Sequence, residues 1–309
     1  AAFGRLVDLR DLGGVALTES QQDLASNAAI RACDVVGGVH LGYIMDNPAC
    51  IYDPSTDRSV LCRRDGGANR TADCLGKAQA MALNKKWYGI TSDGSVPSPA
   101  LDNGVASKLE GKHRWYGFVR GTSLYNAYYS KLDPFYSKLL REASQGGSGR
   151  EADWIALILQ NPTLAGPTFK NASGDGQALW RELSYAQLNN AFDRGAALEP
   201  VFGNLASDNS DLSGLQARGT KFLSWHGWND EAIPVQGTIR YYDRVVETMG
   251  GLDKVQDFFR LYLVPGAGHL SPQGTSNPAA NPPVVPPGMF YRMMTDWVEK
   301  GIAPGREEI

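Results

Sequence analysis

The sequence contains no apolar run approaching the roughly 20 residues that cross a bilayer, so no transmembrane helix is expected. Neither sign of charge dominates. Thirty Lys and Arg against 33 Asp and Glu leave a formal net charge of -3, which argues against nucleic acid or an anionic membrane as a partner. No fixed-period repeat is present. The opening AAFGRLVDLRDLGG has neither the basic start nor the apolar core of a secretory signal, and it reads as the middle of a longer element. Cysteine is absent after Cys74, and no C-x-x-C pair occurs, which disfavours a structural zinc site. No serine sits in a G-x-S-x-G elbow. The nearest misses are Gly121-Thr-Ser123-Leu-Tyr and Gly146-Gly-Ser148-Gly-Arg. Ser123 follows an aromatic, strand-like stretch but lacks the glycine two places on that lets such an elbow pack tightly. Cysteine nucleophiles are excluded if all four cysteines are paired.

What is present is a chain of 309 residues, long enough for one large domain or two smaller ones, with 35 Gly and 17 Pro that predict many loops and turns. The cysteines, Cys33, Cys50, Cys62 and Cys74, form an even, clustered set. Two local disulfides are expected. Neighbour pairing, Cys33–Cys50 and Cys62–Cys74, is the simplest of three connectivities, and four reduced thiols are the alternative. Loops of this size stabilise by about 3 kcal/mol each in the chain-entropy model. Disulfides in turn point to a secreted or periplasmic location.

Along the chain, residues 1–15 read as the end of a core segment. Residues 17–33 predict a helix with a Thr18/Gln21 capping box, and residues 71–86 a second helix beginning near Thr71. Gln145–Gly149 (QGGSG) reads as a flexible loop. Ala152–Leu159 and Ser184–Asp193 read as helices, the latter with a Ser184/Gln187 box. The stretch 16–205 lacks βαβ alternation and reads as a mostly helical, disulfide-stapled insertion. After about residue 206 the pattern changes. Lys221–His226 is a short apolar strand, Gly237–Met249 an amphipathic helix, Phe259–Val264 a second strand, and Pro286–Lys300 a final helix stopped by Gly301. Strand, helix, strand, helix is the signature of a parallel sheet, so 206–309 is expected to be the C-terminal part of an α/β core.

Two loops follow the two strands: His226-Gly-Trp-Asn-Asp230-Glu-Ala-Ile-Pro234 and Pro265-Gly-Ala-Gly-His269. In open parallel sheets ligands bind beyond the carboxyl ends of the strands. An Asp after one strand and a His after the next can meet there. Asp230 would accept the Nδ1 proton of His269, fixing the tautomer that leaves Nε2 able to take a proton from a nucleophile. Each motif alone has a plainer explanation as a turn; the two together, each on its own strand with one helix between, favour chemistry. His226 is expected to be structural, at the strand end but outside the triad. His40 and His113 have no partner motif.

The residues reached so far resemble the tannase/feruloyl esterase family, which also includes mono(2-hydroxyethyl) terephthalate hydrolases. The likeness lies in Asp211–Lys221 (DLSGLQARGTK), Trp225–Asp230 (WHGWND), Ile233-Pro234, Tyr241-Tyr242, Val245, Phe258–His269 (FFRLYLVPGAGH) and Trp297–Pro304 (WVEKGIAP). Ala32–Asp34, Asp46–Cys50 and Asp73–Leu75 extend it into the insertion. The resemblance implies an α/β-hydrolase sheet with a large lid, hydrolysis of esters of aromatic acids through an acyl-enzyme, Asp230 as acid and His269 as base, and both neighbour disulfides. It implies too that the nucleophilic Ser and the oxyanion hole belong to a segment upstream, or to a partner chain. Three departures stand out. Leu270 occupies a position where the family usually has a Cys. In the lid loop that often holds calcium only Asp34 remains, with Gly37 and Leu41 in place of carboxylates, so no metal is expected. The family's Cys-containing tail is missing after Ile309.

Substrate determinants are expected in the lid. Trp115, Tyr116, Arg120 and Tyr125 suit stacking on an aromatic acyl group or pairing with a carboxylate, with packing of the lid's own core as the alternative for each. The leading expectation is a serine hydrolase of small or medium aromatic esters. An aliphatic polyester or hydroxyalkanoate oligomer hydrolase is a second reading, and a non-catalytic aromatic-acid-binding protein on the same fold a third.

Overall fold

The computed structural model describes residues 2–125, 149–203, 206–269 and 271–305. Ser148, most of the QGGSG loop and Leu270 lie outside the described residues.

The N-terminal region opens on α1 (Ala2–Asp11), which the sequence pattern did not predict as a helix. It packs through Phe3 and Val7 on Ala82 of α3 (Lys77–Tyr88). The contact is fastened by ion pairs at its rim, Lys85–Asp11 at 2.5 Å and Lys86–Asp8 at 2.8 Å. α2 (Glu19–Cys33) carries the expected capping box: Thr18 Oγ1 accepts the Gln21 N–H at 3.1 Å, and Gln21 Oε1 accepts the Thr18 N–H at 3.1 Å. Its buried face, Ala25, Ala28 and Ala29, meets Val60, Leu75, Leu83 and Trp87.

Both disulfides form between sequence neighbours, Cys33–Cys50 and Cys62–Cys74. The second explains why α3 begins at Lys77 rather than near Thr71. Cys74 is tied to Cys62, and Leu75 donates to Val60 O and accepts from the Cys62 N–H, both at 2.9 Å, so residues 74–75 are held out of the helix. The helix can start only after Gly76, whose N–H is taken by Gln79 Oε1 at 2.8 Å.

Short antiparallel pairs decorate this region: β1 (Val35–Val36) with β2 (Val39–His40), β3 (Gly89–Thr91) with β4 (His113–Tyr116), and, after α4 (Gly149–Leu159), β5 (Lys170–Asn171) with β6 (Gly174–Asp175). α5 (Tyr185–Ala197) closes it, with the Ser184/Gln187 box in place. Leu6 of α1 joins Ala152, Ile155, Trp180 and Ala191 in one cluster, so residues 2–11 pack among helices of the segment read as an insertion.

The C-terminal region runs α6 (Ser213–Ala217), β7 (Phe222–Gly227), α7 (Val235–Thr248), α8 (Leu252–Gln256), β8 (Phe259–Val264) and α9 (Met289–Lys300). β7 and β8 are parallel and in simple register, from Phe222 opposite Phe259 to Gly227 opposite Val264. α8 was not expected; it sits in the crossover after Gly250-Gly251. α9 starts three residues later than the pattern suggested, because Pro287 disfavours helical backbone at Pro286 and Gly288 turns left-handed (φ 72°). Val245, Val255, Phe258, Phe259 and Leu212 form the core under the sheet. Each buried Phe or Val there is worth about 1.5–3 kcal/mol of transfer free energy. On β7, Phe222 and Trp225 stay 38% and 39% exposed, although parallel strands are ordinarily covered on both faces.

Candidate active site

The in-phase parallel pairing of β7 and β8 brings their carboxyl ends side by side, and the two following loops fold onto each other. Trp228 N–H donates to Val264 O and Asn229 N–H to Ala267 O, both at 2.9 Å. The approach is possible because residue 227 has no side chain: a Cβ there would lie 2.4 Å from Ala267 O. Gly274 N–H donates to Gly266 O at 2.9 Å, closing the second loop on itself.

Asp230 is almost fully buried at this junction, and four donors converge on its carboxylate. Oδ1 accepts the main-chain N–H groups of Ala232 (2.8 Å) and Ile233 (2.7 Å). Oδ2 accepts Nδ1–H of His269 at 2.9 Å and Nε2–H of His226 at 3.0 Å. Burial alone would raise the pKa of Asp230; the hydrogen bonds outweigh it and hold the group down at about 2. It is therefore an anion at any ordinary pH.

Two imidazoles share one carboxylate oxygen, so geometry must decide which can move protons. Both ring nitrogens of His226 are committed: Nε2 to Asp230, and Nδ1 as acceptor of the Thr238 hydroxyl at 2.7 Å. Its side chain is 13% exposed, against 39% for His269. His269 is thus the more exposed imidazole of the two. His226 is more than the bystander at the strand end that its sequence position suggested, because it fixes the carboxylate that fixes His269. The sequence signal was its place four residues before Asp230.

The whole-chain pattern of residues fits a known family. Residues 6–309 match the family described as "Tannase and feruloyl esterase". The chain belongs to the tannase and feruloyl esterase family. A probable feruloyl esterase of Arthroderma benhamiae is 38% identical over 280 residues, covering 90% of this chain and 43% of that protein. A probable feruloyl esterase B-2 of Aspergillus terreus is 27% identical over 297 residues, covering 93% of this chain and 46% of that one. The chain thus spans less than half the length of these curated relatives. Among solved structures, feruloyl esterase B from Aspergillus oryzae superposes with a TM-score of 0.60 at 21% identity, covering 98% of this chain and 54% of that one. The tannin acyl hydrolase from Aspergillus niger superposes with a TM-score of 0.63 at 20% identity, covering 98% and 49%. The fold is that of tannases and feruloyl esterases.

In this family member the four residues singled out from sequence as candidate substrate contacts have distinct placements. Arg120 is 3% exposed; Nε donates to Tyr52 O at 2.7 Å and Nη1 to Asn103 O at 2.8 Å, and the guanidinium lies over the Trp87 ring. Tyr116 is buried edge-on to His113, and the Tyr125 hydroxyl donates to Asp23 Oδ2 at 2.8 Å. All three make contacts of the packing and internal hydrogen-bonding kind, the alternative weighed for each. Trp115 differs. It is 40% exposed and lies against Gly237 of α7, where a Cβ would come within 3.3 Å of its ring. The next residue, Thr238, is the one that holds His226.

Elsewhere, His113 is enclosed between Ser107 Oγ and Tyr88 O, and burial lowers its pKa. Asp34 accepts His40 Nδ1 at 2.6 Å and the Gly42 N–H at 2.8 Å, one on each oxygen. A single carboxylate so engaged does not fit the six to eight oxygens that calcium takes. Ser123 is buried, and its main-chain N–H donates to Gly274 O at 2.9 Å. Beside it, Thr122 Oγ1 accepts Nδ2–H of Asn229 at 3.2 Å. The turn at 122–123 therefore touches both the acid loop and the base loop.

Proposed function

We propose that this chain supplies the acid and base of a serine ester hydrolase that acts on esters of phenolic acids. The observation carrying this reading is the Asp230–His269 contact at the ends of two adjacent parallel strands, in a member of the tannase and feruloyl esterase family. Residues 16–205 form the lid and 206–309 the C-terminal part of the hydrolase sheet. The nucleophilic serine comes from a segment upstream of this chain or from a second chain. The partly exposed Phe222 and Trp225 on β7 leave sheet faces that such a segment would cover.

Chemically, Nδ1–H of His269 stays on Asp230, which leaves the Nε2 lone pair as base. As the serine oxygen attacks the ester carbonyl, its proton passes to Nε2 and a C–O bond forms. The tetrahedral species collapses, the alcohol leaves with the proton from Nε2, and the acyl group remains on serine. Water then repeats the sequence and frees the acid. The anionic Asp230 stabilises the transient imidazolium. Trp115, 40% exposed against the first turn of α7, would stack on an aromatic acyl group. The two disulfides support an oxidising compartment, secreted or periplasmic, as the working location.

Treatment of the esterase preparation with a fluorophosphonate followed by intact mass spectrometry tests this reading. A labelled upstream segment or partner chain, together with turnover of feruloyl or galloyl esters in preference to aliphatic ones, is the expected result. A 33.5 kDa chain that is alone, unlabelled and without ester hydrolysis would refute it.

A further inference from the structure

His269 is tied to the acid loop twice. Its ring meets Asp230, and its main-chain N–H donates to Oε2 of the adjacent Glu231 at 3.0 Å. The second tie runs across 38 residues of sequence and adds to the Asp230–His269 bond and the main-chain bond from Asn229 to Ala267. It is built tightly. A Cβ on Gly268 would lie 2.6 Å from Glu231 Oε2 and 2.8 Å from the Gly274 Cα, so the carboxyl reaches the His269 N–H only because residue 268 has no side chain. The other carboxyl oxygen, Oε1, is shut away from solvent and has no hydrogen-bond partner among the described residues. Leaving a buried carboxyl oxygen unpaired is costly, and such groups persist where they serve the site.

We propose that Glu231 is a positioning residue: its carboxyl fixes the main chain of His269 while Asp230 fixes the ring, so the imidazole is held at both ends. The inference rests on the ester-hydrolase reading above. The His269 side chain is 39% exposed, so packing alone does not fix it and polar ties contribute to its orientation. The groups facing the Glu231 carboxyl are Asp230 from its own loop, and His269 and Ser271 from the loop after β8. Burial, with the neighbouring Asp230 charge adding to it, pushes Glu231 up to about 7, so near neutrality it is partly a neutral acid. A neutral carboxyl still accepts the N–H through its carbonyl oxygen. It does so without setting a second full charge beside Asp230.

The test compares Glu231→Gln and Glu231→Ala in the esterase preparation, by kcat and KM on ethyl ferulate and by the ¹⁵N signals of the His269 ring, which need no turnover. Glu231→Gln keeps an amide oxygen for the same N–H and is expected to retain kcat within about threefold. Glu231→Ala is expected to lose about ten- to a hundredfold in kcat with KM within about twofold, the cost of a slightly misplaced base, and to shift the His269 ring signals. Wild-type kcat in Glu231→Ala, or equal losses in both variants, overturns the proposal. If even the wild type hydrolyses no ester, the hydrolase reading fails separately. The ring signals then decide alone: unmoved in Glu231→Ala, they overturn the positioning role; shifted in Glu231→Ala and restored in Glu231→Gln, they support it.

Discussion

Replacing Asp230 by Asn changes one atom, and the surrounding donors dictate the consequence. Ala232 and Ile233 both present N–H groups to Oδ1 at 2.8 and 2.7 Å. The Asn amide oxygen must stay there; flipping the amide would set its NH₂ against two donors and leave them unpaired, at about 1–3 kcal/mol each. The NH₂ therefore replaces Oδ2 and faces the two imidazoles. His269 Nδ1 must then accept rather than donate, which forces the proton onto Nε2 and removes the lone pair that acts as base. In a Ser-His-Asp system this tautomer change costs about 10⁴ in kcat, and a loss of about 10³–10⁴ with little change in KM is expected here. The same substitution removes a pH-dependent stabilisation. Asp230 is held down from 3.8 to about 2, worth about 2 kcal/mol at about 1.4 kcal/mol per pKa unit. Because its folded value is depressed, the stabilisation is full above pH 3.8 and is lost as pH falls towards 2. Steady-state kinetics on a feruloyl or galloyl ester, with urea unfolding between pH 2 and 5, measures both effects. An Asn variant that keeps more than about a tenth of wild-type kcat would refute the assignment of His269 as a base oriented by Asp230.

Two further outcomes follow from the geometry. His226→Ala removes one of the two ring donors to Oδ2 and is expected to lower stability by about 1 kcal/mol and kcat by about three- to thirtyfold; a loss matching that of His269→Ala would show that the wrong histidine has been named the base. Reducing the Cys33–Cys50 and Cys62–Cys74 bonds is expected to cost about 3 kcal/mol each, read as a fall in melting temperature with dithiothreitol, and an unchanged melting temperature would show that these loops contribute nothing to stability.

Much of the site was legible in the sequence because it is local. β7 and β8 announce themselves as apolar runs ended by Gly and Pro, and Asp230 and His269 each follow their own strand within a few residues. Capping boxes at Thr18 and Ser184 involve side chains three residues apart, so their chemistry is written in the pattern. Neighbour pairing of the cysteines is likewise short-range. Family resemblance rested on these same local strings.

What only the tertiary structure decided depends on groups distant in sequence. The start of α3 moved to Lys77 because a disulfide and cross-chain main-chain bonds hold Cys74 and Leu75 outside the helix, and no propensity encodes that. α1 carries the helical i, i+3, i+4 spacing in Phe3, Leu6 and Val7, and what only the fold decides is that α3 and Trp180 cover this face. Arg120 reads from sequence as a free cation, yet its donors end on carbonyls of Tyr52 and Asn103, 68 and 17 residues away. The contest between His226 and His269 for one oxygen of Asp230, and the hold of Glu231 on the His269 main chain, exist only once two loops 38 and 39 residues apart are folded together. Sequence supplies the groups in order; the packing of the two strand ends decides that His226 is enclosed with both ring nitrogens bonded while His269 stays 39% exposed.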